Sequence, residues 1–220
     1  RHTMAPPKRM TKSFSRPVMN KWIDDNYTVI GKSSYLKGDY PKAEEIFTYL
    51  ARTVNGDDAE AWAYSWLGRT HMRAGDDIKA KNALAKAEGI RDASDEAMVH
   101  TLLVLAQYRI LTVEFEKAAR HLEDALPRMG KKDKERTRAT FVLAQCLRAA
   151  GDKEGAIGQF QEVADMRWAD YEWVFQGNIQ QAMTYERRNG NSEAIVELLE
   201  DMLEDSKNEE FLDQVYYALG

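Results

Sequence analysis

Cysteine is nearly absent: Cys146 is the only one among 220 residues, so no disulfide can form within the chain. That leaves the compartment open, because oxidising compartments also hold disulfide-free proteins. Proline is scarce and unevenly placed, with Pro6, Pro7 and Pro17 making up three of the five. No apolar run approaches the roughly 20 residues that a membrane helix needs, and residues 1–20 lack the hydrophobic centre of a signal peptide. Acid is missing from residues 1–19, which carry Arg1, Lys8, Arg9, Lys12 and Arg16. With a net charge of −5 on the whole chain, this +5 arm leaves −10 on the remainder. The arm reads as an extended, proline-containing linker. An acidic body argues against a nucleic-acid platform. A content of 44% hydrophobic and 30% charged residues excludes a disordered chain.

Small residues recur at a fixed interval. Gly31, Gly68, Ala106, Ala144, Ala182 and Gly220 stand 37 to 38 residues apart. Ala43, Ala80, Ala118, Ala156 and Ala194 repeat the interval twelve residues later. A period of this length means stacked repeats rather than one globular core. Within the first copy, Tyr27, Ile30, Gly31 and Ser34 share a helical face. Gly38 stops that helix, Asp39 caps the next one with Pro41 in its first turn, and Ala43, Ile46, Phe47 and Leu50 form the buried face of the second helix. Small residues at Gly31 and Ala43 let the two backbones approach closely. The pattern returns at Leu67-Gly68 with Gly75-Asp76 and Ala80, at Leu105-Ala106 with Ala118, and at Leu143-Ala144 with Gly151-Asp152 and Ala156. A degraded copy holds Ala182, Gly190 and Ala194, and Tyr216, Leu219 and Gly220 open a sixth.

These residues resemble the tetratricopeptide repeat (TPR), over about nine-tenths of the chain. The period exceeds the usual 34 residues and the closing Pro is absent. Gln181 and Asp201 stand where Leu and Ala are expected, so the fifth copy should be the most irregular. The expected fold is all-α: a right-handed superhelix of antiparallel helix pairs, about five repeats and one truncated helix. The expected domains are an arm over 1–19 and an array over 20–220, with repeats near 24–57, 61–94, 99–132, 137–170 and 175–208 and a sixth starting at 213. A final first helix would leave Val215, Tyr216 and Leu219 partly exposed, since arrays normally end in a polar cap. The expectation is that the chain is a piece of a longer protein.

Chemistry is thin. Gly31-Lys32-Ser33 imitates the end of a phosphate-binding loop, but Asn26 occupies the position of the required first Gly. His2, His71, His100 and His121 include no pair with metal-ligand spacing on one helix face, and His71 takes a packing position. Asp24-Asp25, Asp57-Asp58 and Asp76-Asp77 fall at helix starts, where they cap and complement the dipole. Cys146 sits in an apolar helix and is expected to be buried and inert. No nucleophile–base constellation is present, so the expectation is a non-enzyme without cofactor or metal. Trp66 is expected to pack between repeats. Trp168, Tyr171, Trp173 and Phe175 fall in a stretch read as irregular, Arg167 to Gly177, and serve either as a linker packed on the next repeat or as an aromatic contact surface.

In TPR arrays the first helices line a concave groove. Carried over, the groove positions are Lys32, Tyr35, Trp62, Arg69, Met72, Arg73, His100, Leu103, Gln107, Ile110, Phe141, Gln145 and Arg148. This mixed basic and apolar strip suits an extended or helical partner segment carrying a few acids. The Lys and Asn pair by which chaperone-binding TPRs hold a C-terminal carboxylate is not matched, because Thr28 and Lys32 stand there.

Two stretches carry a closer resemblance. Asn20-Lys-Trp-Ile-Asp-Asp-Asn-Tyr27 leads into Ile30-Gly-Lys and Tyr35-Leu-Lys-Gly-Asp-Tyr40, and Met202-Leu-Glu-Asp-Ser-Lys-Asn-Glu-Glu-Phe-Leu-Asp-Gln-Val-Tyr-Tyr-Ala-Leu219 stands near the end. Both, with Tyr171-Glu-Trp-Val-Phe175, resemble the TPR lipoproteins of gliding motility and type IX secretion, the SprE/PorW family, from about residue 18 to 220. The resemblance implies the TPR region of an outer-membrane lipoprotein facing the periplasm. It also implies a structural role linking the outer-membrane translocon to periplasmic ring and motor components, with PorN as partner. The alternative is a general TPR adaptor in another envelope or cytosolic complex.

Overall fold

The computed structural model describes residues 23–54, 56–185 and 192–220. The basic arm over 1–19, Trp22, Asn55 and the expected helix stop at Gly190 lie outside the described residues. The fold is all-α, with eleven α-helices and no strand among those residues. They are α1 (Ile23–Leu36), α2 (Tyr40–Thr53), α3 (Asp57–Ala74), α4 (Asp77–Gly89), α5 (Asp95–Leu111), α6 (Phe115–Ala125), α7 (Lys134–Ala150), α8 (Lys153–Ala164), α9 (Tyr171–Thr184), α10 (Ser192–Glu204) and α11 (Leu212–Leu219). Short 3-10 segments cover Leu126–Arg128 and Ser206–Phe211.

The tight turns inside the pairs follow from local chemistry. Gly38, Gly75 and Gly151 sit at φ 79°, 77° and 94°, the left-handed region in which glycine meets no Cβ penalty. The aspartate after each caps the next helix: Asp39 accepts from Lys42 N at 3.2 Å, Asp76 from Lys79 N at 3.0 Å and Asp152 from Gly155 N at 2.9 Å. The third pair has the same turn without this chemistry. Val113 takes the glycine place at φ 61°, and Glu114 makes no side-chain cap. The Glu114 carboxylate instead accepts from Arg109 Nη1 at 2.5 Å and Lys117 Nζ at 3.2 Å.

The described residues form two compact units, one ending at Val104 and the other starting at Leu105, divided inside α5. In the first, α1 packs on α2, α2 on α3 and α3 on α4. Its core holds Ala43, Ile46, Phe47, Leu50, Trp66 and Leu67. The helices meet where side chains are missing: a Cβ on Gly31 would stand 2.7 Å from Phe47 Cζ, and one on Gly68 would stand 2.5 Å from Leu84 Cδ2. In the second unit, α6 packs on α7, α7 on α8 and α8 on α9. Phe141, Ala144, Ala156, Phe160 and Val163 form one core cluster, and Phe175, Ile179, Leu199, Met202 and Val215 form another.

Three expectations need correction. The stretch 167–177 is not irregular throughout, because α9 begins at Tyr171 with Asp170 at its N-cap position. Its aromatics divide: on α9, Phe175 is buried and stacks on Phe211 at 4.7 Å, Trp173 meets Phe141 edge-on at 5.3 Å and Tyr171 remains exposed, while Trp168 is exposed in the preceding turn. Tyr171 is itself held, its hydroxyl lying 2.6 Å from Asn208 Oδ1. Val215 is fully buried on the α11 face that meets the α9–α10 cluster, whereas Tyr216 and Tyr217 are 62% and 76% exposed. The third, at Phe141, concerns the groove and is taken up below. Gln181, in place of the expected Leu, is buried and donates to Gln161 Oε1 at 2.6 Å, so the polar exception is satisfied.

Two glycine tests follow. A β-branched residue in the left-handed region is strained. Val113→Gly should therefore stabilise the chain by about 1 kcal/mol net of the added unfolded-state entropy, read as a higher melting temperature; no increase would refute the strained turn. Gly177 lies inside α9, where Gly→Ala ordinarily gains about 1 kcal/mol. Here the new Cβ would stand 2.9 Å from Ala164 N and from Phe160 O, both backbone atoms of α8. Gly177→Ala should therefore lower the melting temperature, and an increase would show that α8 and α9 are further apart.

Candidate functional site

The first unit gathers several predicted groove residues into one cluster. Lys32 on α1 and Arg69 on α3 each follow a close-contact glycine, one step round the helix from the α1–α2 and α3–α4 contacts. Trp62 and His100 stand 38 residues apart and stack at 4.3 Å with 20° between their planes. Trp66 is the hub. Its ring stacks on Phe47 of α2 at 5.7 Å and on His100 at 5.2 Å, and meets Tyr35 edge-on at 5.4 Å. The expectation that Trp66 packs between repeats is met, since it joins α1, α2, α3 and the start of α5.

Two cations ride on these rings. Lys32 Nζ lies 4.5 Å from the Trp62 ring centroid and 5.3 Å from that of Trp66. The Arg69 guanidinium carbon lies 5.2 Å from the same Trp66 ring. Cation–π attraction holds both heads over the indoles. Among the described residues, neither has a carboxylate within ion-pair distance. Burial lowers the pKa of Lys32, and Glu96 opposes that shift from a greater distance. His100 is pushed down to about 3, first by burial and then by Arg69 and Lys32, so it is neutral at pH 7. Trp66 Nε1, Arg69 Nε and His100 Nε2 are buried without a hydrogen-bond partner. Arg73 is exposed and donates from Nε to the Tyr35 hydroxyl at 3.3 Å. Met72 and Leu103 are half-buried.

The α2–α4 side of the same unit is charge-balanced. Lys79 pairs with Glu44 at 3.1 Å and with Asp76 at 3.4 Å. His71 is buried, as its packing position predicts, with Nδ1 4.0 Å from Glu44.

The second unit treats its predicted groove residues differently. Phe141 is buried, edge-on to Phe160 at 5.3 Å and to Trp173 at 5.3 Å. It is a core residue shared by α7, α8 and α9, and its place in the binding strip is withdrawn. Arg148 is occupied: Nη1 donates to Gln180 Oε1 at 2.8 Å and to Thr184 Oγ1 at 3.3 Å, with the guanidinium 5.3 Å from the Phe160 ring. Gln107 and Ile110 are half-buried, and Gln145 is exposed. Cys146 is buried, and burial raises its thiol pKa to about 11, which removes the reactive thiolate at neutral pH.

Sequence reasoning missed Glu96, the acid that acts on Lys32. It also treated Trp66 as packing alone. The repeat register holds a signal for the cluster: Lys32, Arg69, Gln107 and Gln145 occupy one repeat position, charged in the first two copies and uncharged in the next two. Among the described residues no group of three metal-ligating side chains converges, and no helix is long and apolar enough to cross a membrane.

No family model matches the chain, and no curated protein matches it. Solved structures do. A kinesin-light-chain-type protein of Podosopora anserina with nearly identical TPR-like repeats aligns over 89% of this chain and 94% of its own, at 16% identity and TM-score 0.64. MamA protein aligns over 87% and 96%, at 18% identity and TM-score 0.62. A chain of the APC/C Cut9–Hcn1 hetero-tetramer aligns over 92% of this chain at 18% identity and TM-score 0.57, and this chain spans only 37% of that chain's length. At these identities the likeness shows the fold, a TPR-like helical repeat.

Neutral His100 makes a pH prediction. An unfolded histidine ionises near 6.5, whereas folded His100 resists protonation until about 3. The unfolded state therefore binds the extra proton between these values. The stabilisation is complete above pH 6.5 and is lost as the pH falls toward 3. His71, also shifted down by burial, acts in the same direction. His100→Phe, which keeps an aromatic ring in the stack, should flatten the fall in urea midpoint between pH 6.5 and 4.5. An unchanged slope would show that folded His100 takes up its proton normally.

Proposed function

We propose that the chain is a non-enzymatic protein-interaction scaffold of the type IX secretion and gliding machinery. In this reading it stands on the periplasmic side of the outer membrane, as part of a lipid-anchored protein. It links the outer-membrane translocon to periplasmic ring and motor components, and PorN is its candidate partner. The TPR-like fold supports protein binding in general, since stacked helical repeats present extended surfaces to other chains. The observation that carries a binding face is the Lys32, Trp62, Trp66, Arg69, Arg73 and His100 cluster, positive and aromatic on an acidic body. Aromatic and arginine side chains are the residue types that anchor interfaces. The resemblance of Asn20 to Tyr40 and of Met202 to Leu219 to the SprE/PorW family supplies the secretion context.

Of the remaining predicted strip, Tyr35, Met72 and Leu103 belong to the same proposed face, and Gln107 and Gln145 are candidate contacts on the second unit. A general TPR adaptor is the second reading, favoured by the breadth of TPR-like structures that share the fold. Immobilised PorN should retain the wild-type chain and release an Arg69→Glu, Arg73→Glu double variant at least tenfold more readily, with helicity unchanged by circular dichroism. Equal retention of the two would reject the basic face. Capture from the native envelope with no secretion component bound would favour the general adaptor.

A further inference from the structure

We infer that Lys32 and Arg69 together form an anchor for a single glutamate or aspartate side chain presented by the scaffold's protein partner, with Trp62 as the apolar shelf beside it. This rests on the scaffold reading above and specifies its recognition chemistry.

The first observation is charge without a counterion. Lys32 and Arg69 lie 5.3 Å and 5.2 Å from the Trp66 ring centroid, Arg73 lies on the same helix as Arg69, and Glu96 acts on Lys32 from beyond ion-pair range. Two other cations of the unit are paired with acid: Lys42 with Glu45 at 2.7 Å, and Lys79 with Glu44 and Asp76. The second observation is partial burial. A cation taken partly out of water gains more from a carboxylate than an exposed one does, because the surrounding dielectric is lower. The arginine fork adds directional donors that match a carboxylate.

The third observation is that ring contacts, not hydrogen bonds, position the two cations. Trp66 Nε1, Arg69 Nε and His100 Nε2 lack partners. The Lys32 ammonium and the outer nitrogens of the Arg69 fork keep donors for a partner's carboxylate. The fourth is sequence position: the matching repeat positions Gln107 and Gln145 are uncharged, so only the first two copies carry the cation. A polyanion such as nucleic acid would meet a body of net negative charge beyond these few cations, whereas one acidic side chain would not.

The test uses the full 220-residue chain and an acetylated, amidated nonapeptide alternating Leu and Glu, with its Leu and Gln counterpart. Calorimetry should give the Glu peptide at least tenfold higher affinity. Lys32→Met and Arg69→Met, which keep apolar stems over the indoles, should each erase that preference. Lys81→Met, on the exposed face of α4, should leave it intact. The His100 ring proton resonance, followed through a pH titration, should show an upward pKa shift only with the Glu peptide bound. Equal affinity for the two peptides, or tighter binding of a twelve-residue oligothymidylate than of the Glu peptide, overturns the anchor. The peptide comparison on the unaltered chain stands even where a variant fails to fold. A chain that retains PorN without a Glu preference keeps the scaffold and loses the anchor; one that prefers Glu without retaining PorN does the reverse.

Discussion

Close approach of helix backbones at missing side chains is the constraint on which the rest of the structure depends. Phe47 can lie against α1 only because Gly31 has no Cβ, and Leu84 can lie against α3 only because Gly68 has none. Once Phe47 is so placed, Trp66 stacks on it, and Trp66 in turn positions Tyr35, His100, Lys32 and Arg69. The cation cluster is thus a consequence of packing two helices away. In the second unit the same device appears at Gly177, where the atoms that would clash belong to the α8 backbone itself.

The distribution of charge follows from this geometry. Second helices present acids and lysines at helical spacing, so they pair locally, as Lys42 does with Glu45 and Lys79 with Asp76. Such pairs contribute little stability at an exposed surface. On α1 and α3, aromatic rings stand beside Lys32 and Arg69 instead. An indole face attracts a cation but does not neutralise it, so Lys32 and Arg69 stay charged and uncompensated. The difference separates a surface that is merely solvated from one with unused binding capacity.

Much of the fold was legible in the chain because its signals are local. The Gly-Asp pairs at 38–39, 75–76 and 151–152 state a left-handed stop and a side-chain cap, and each is found so. The period places buried Ala43, Ala80, Ala118 and Ala156 at equivalent points. Val113-Glu114 was illegible for the complementary reason: the turn survives there without its chemistry, held by the helices on either side. Phe141 and Trp173 misled because an aromatic at a groove position and one at a core position look alike until the neighbouring helix is in place.

The chain by itself determined that helices would form, where most would stop, and that they would stack at a regular interval. Those properties depend on residues a few positions apart and on a repeated small residue. Only the tertiary structure decided which side chains of the predicted strip are free to meet a partner. Arg69 and Arg148 are both arginines at predicted groove positions, yet one lies over an indole with no acceptor and the other is consumed by Gln180 and Thr184. That choice rests on what the adjacent helix offers across a few ångströms, a distance that spans more than thirty residues of sequence.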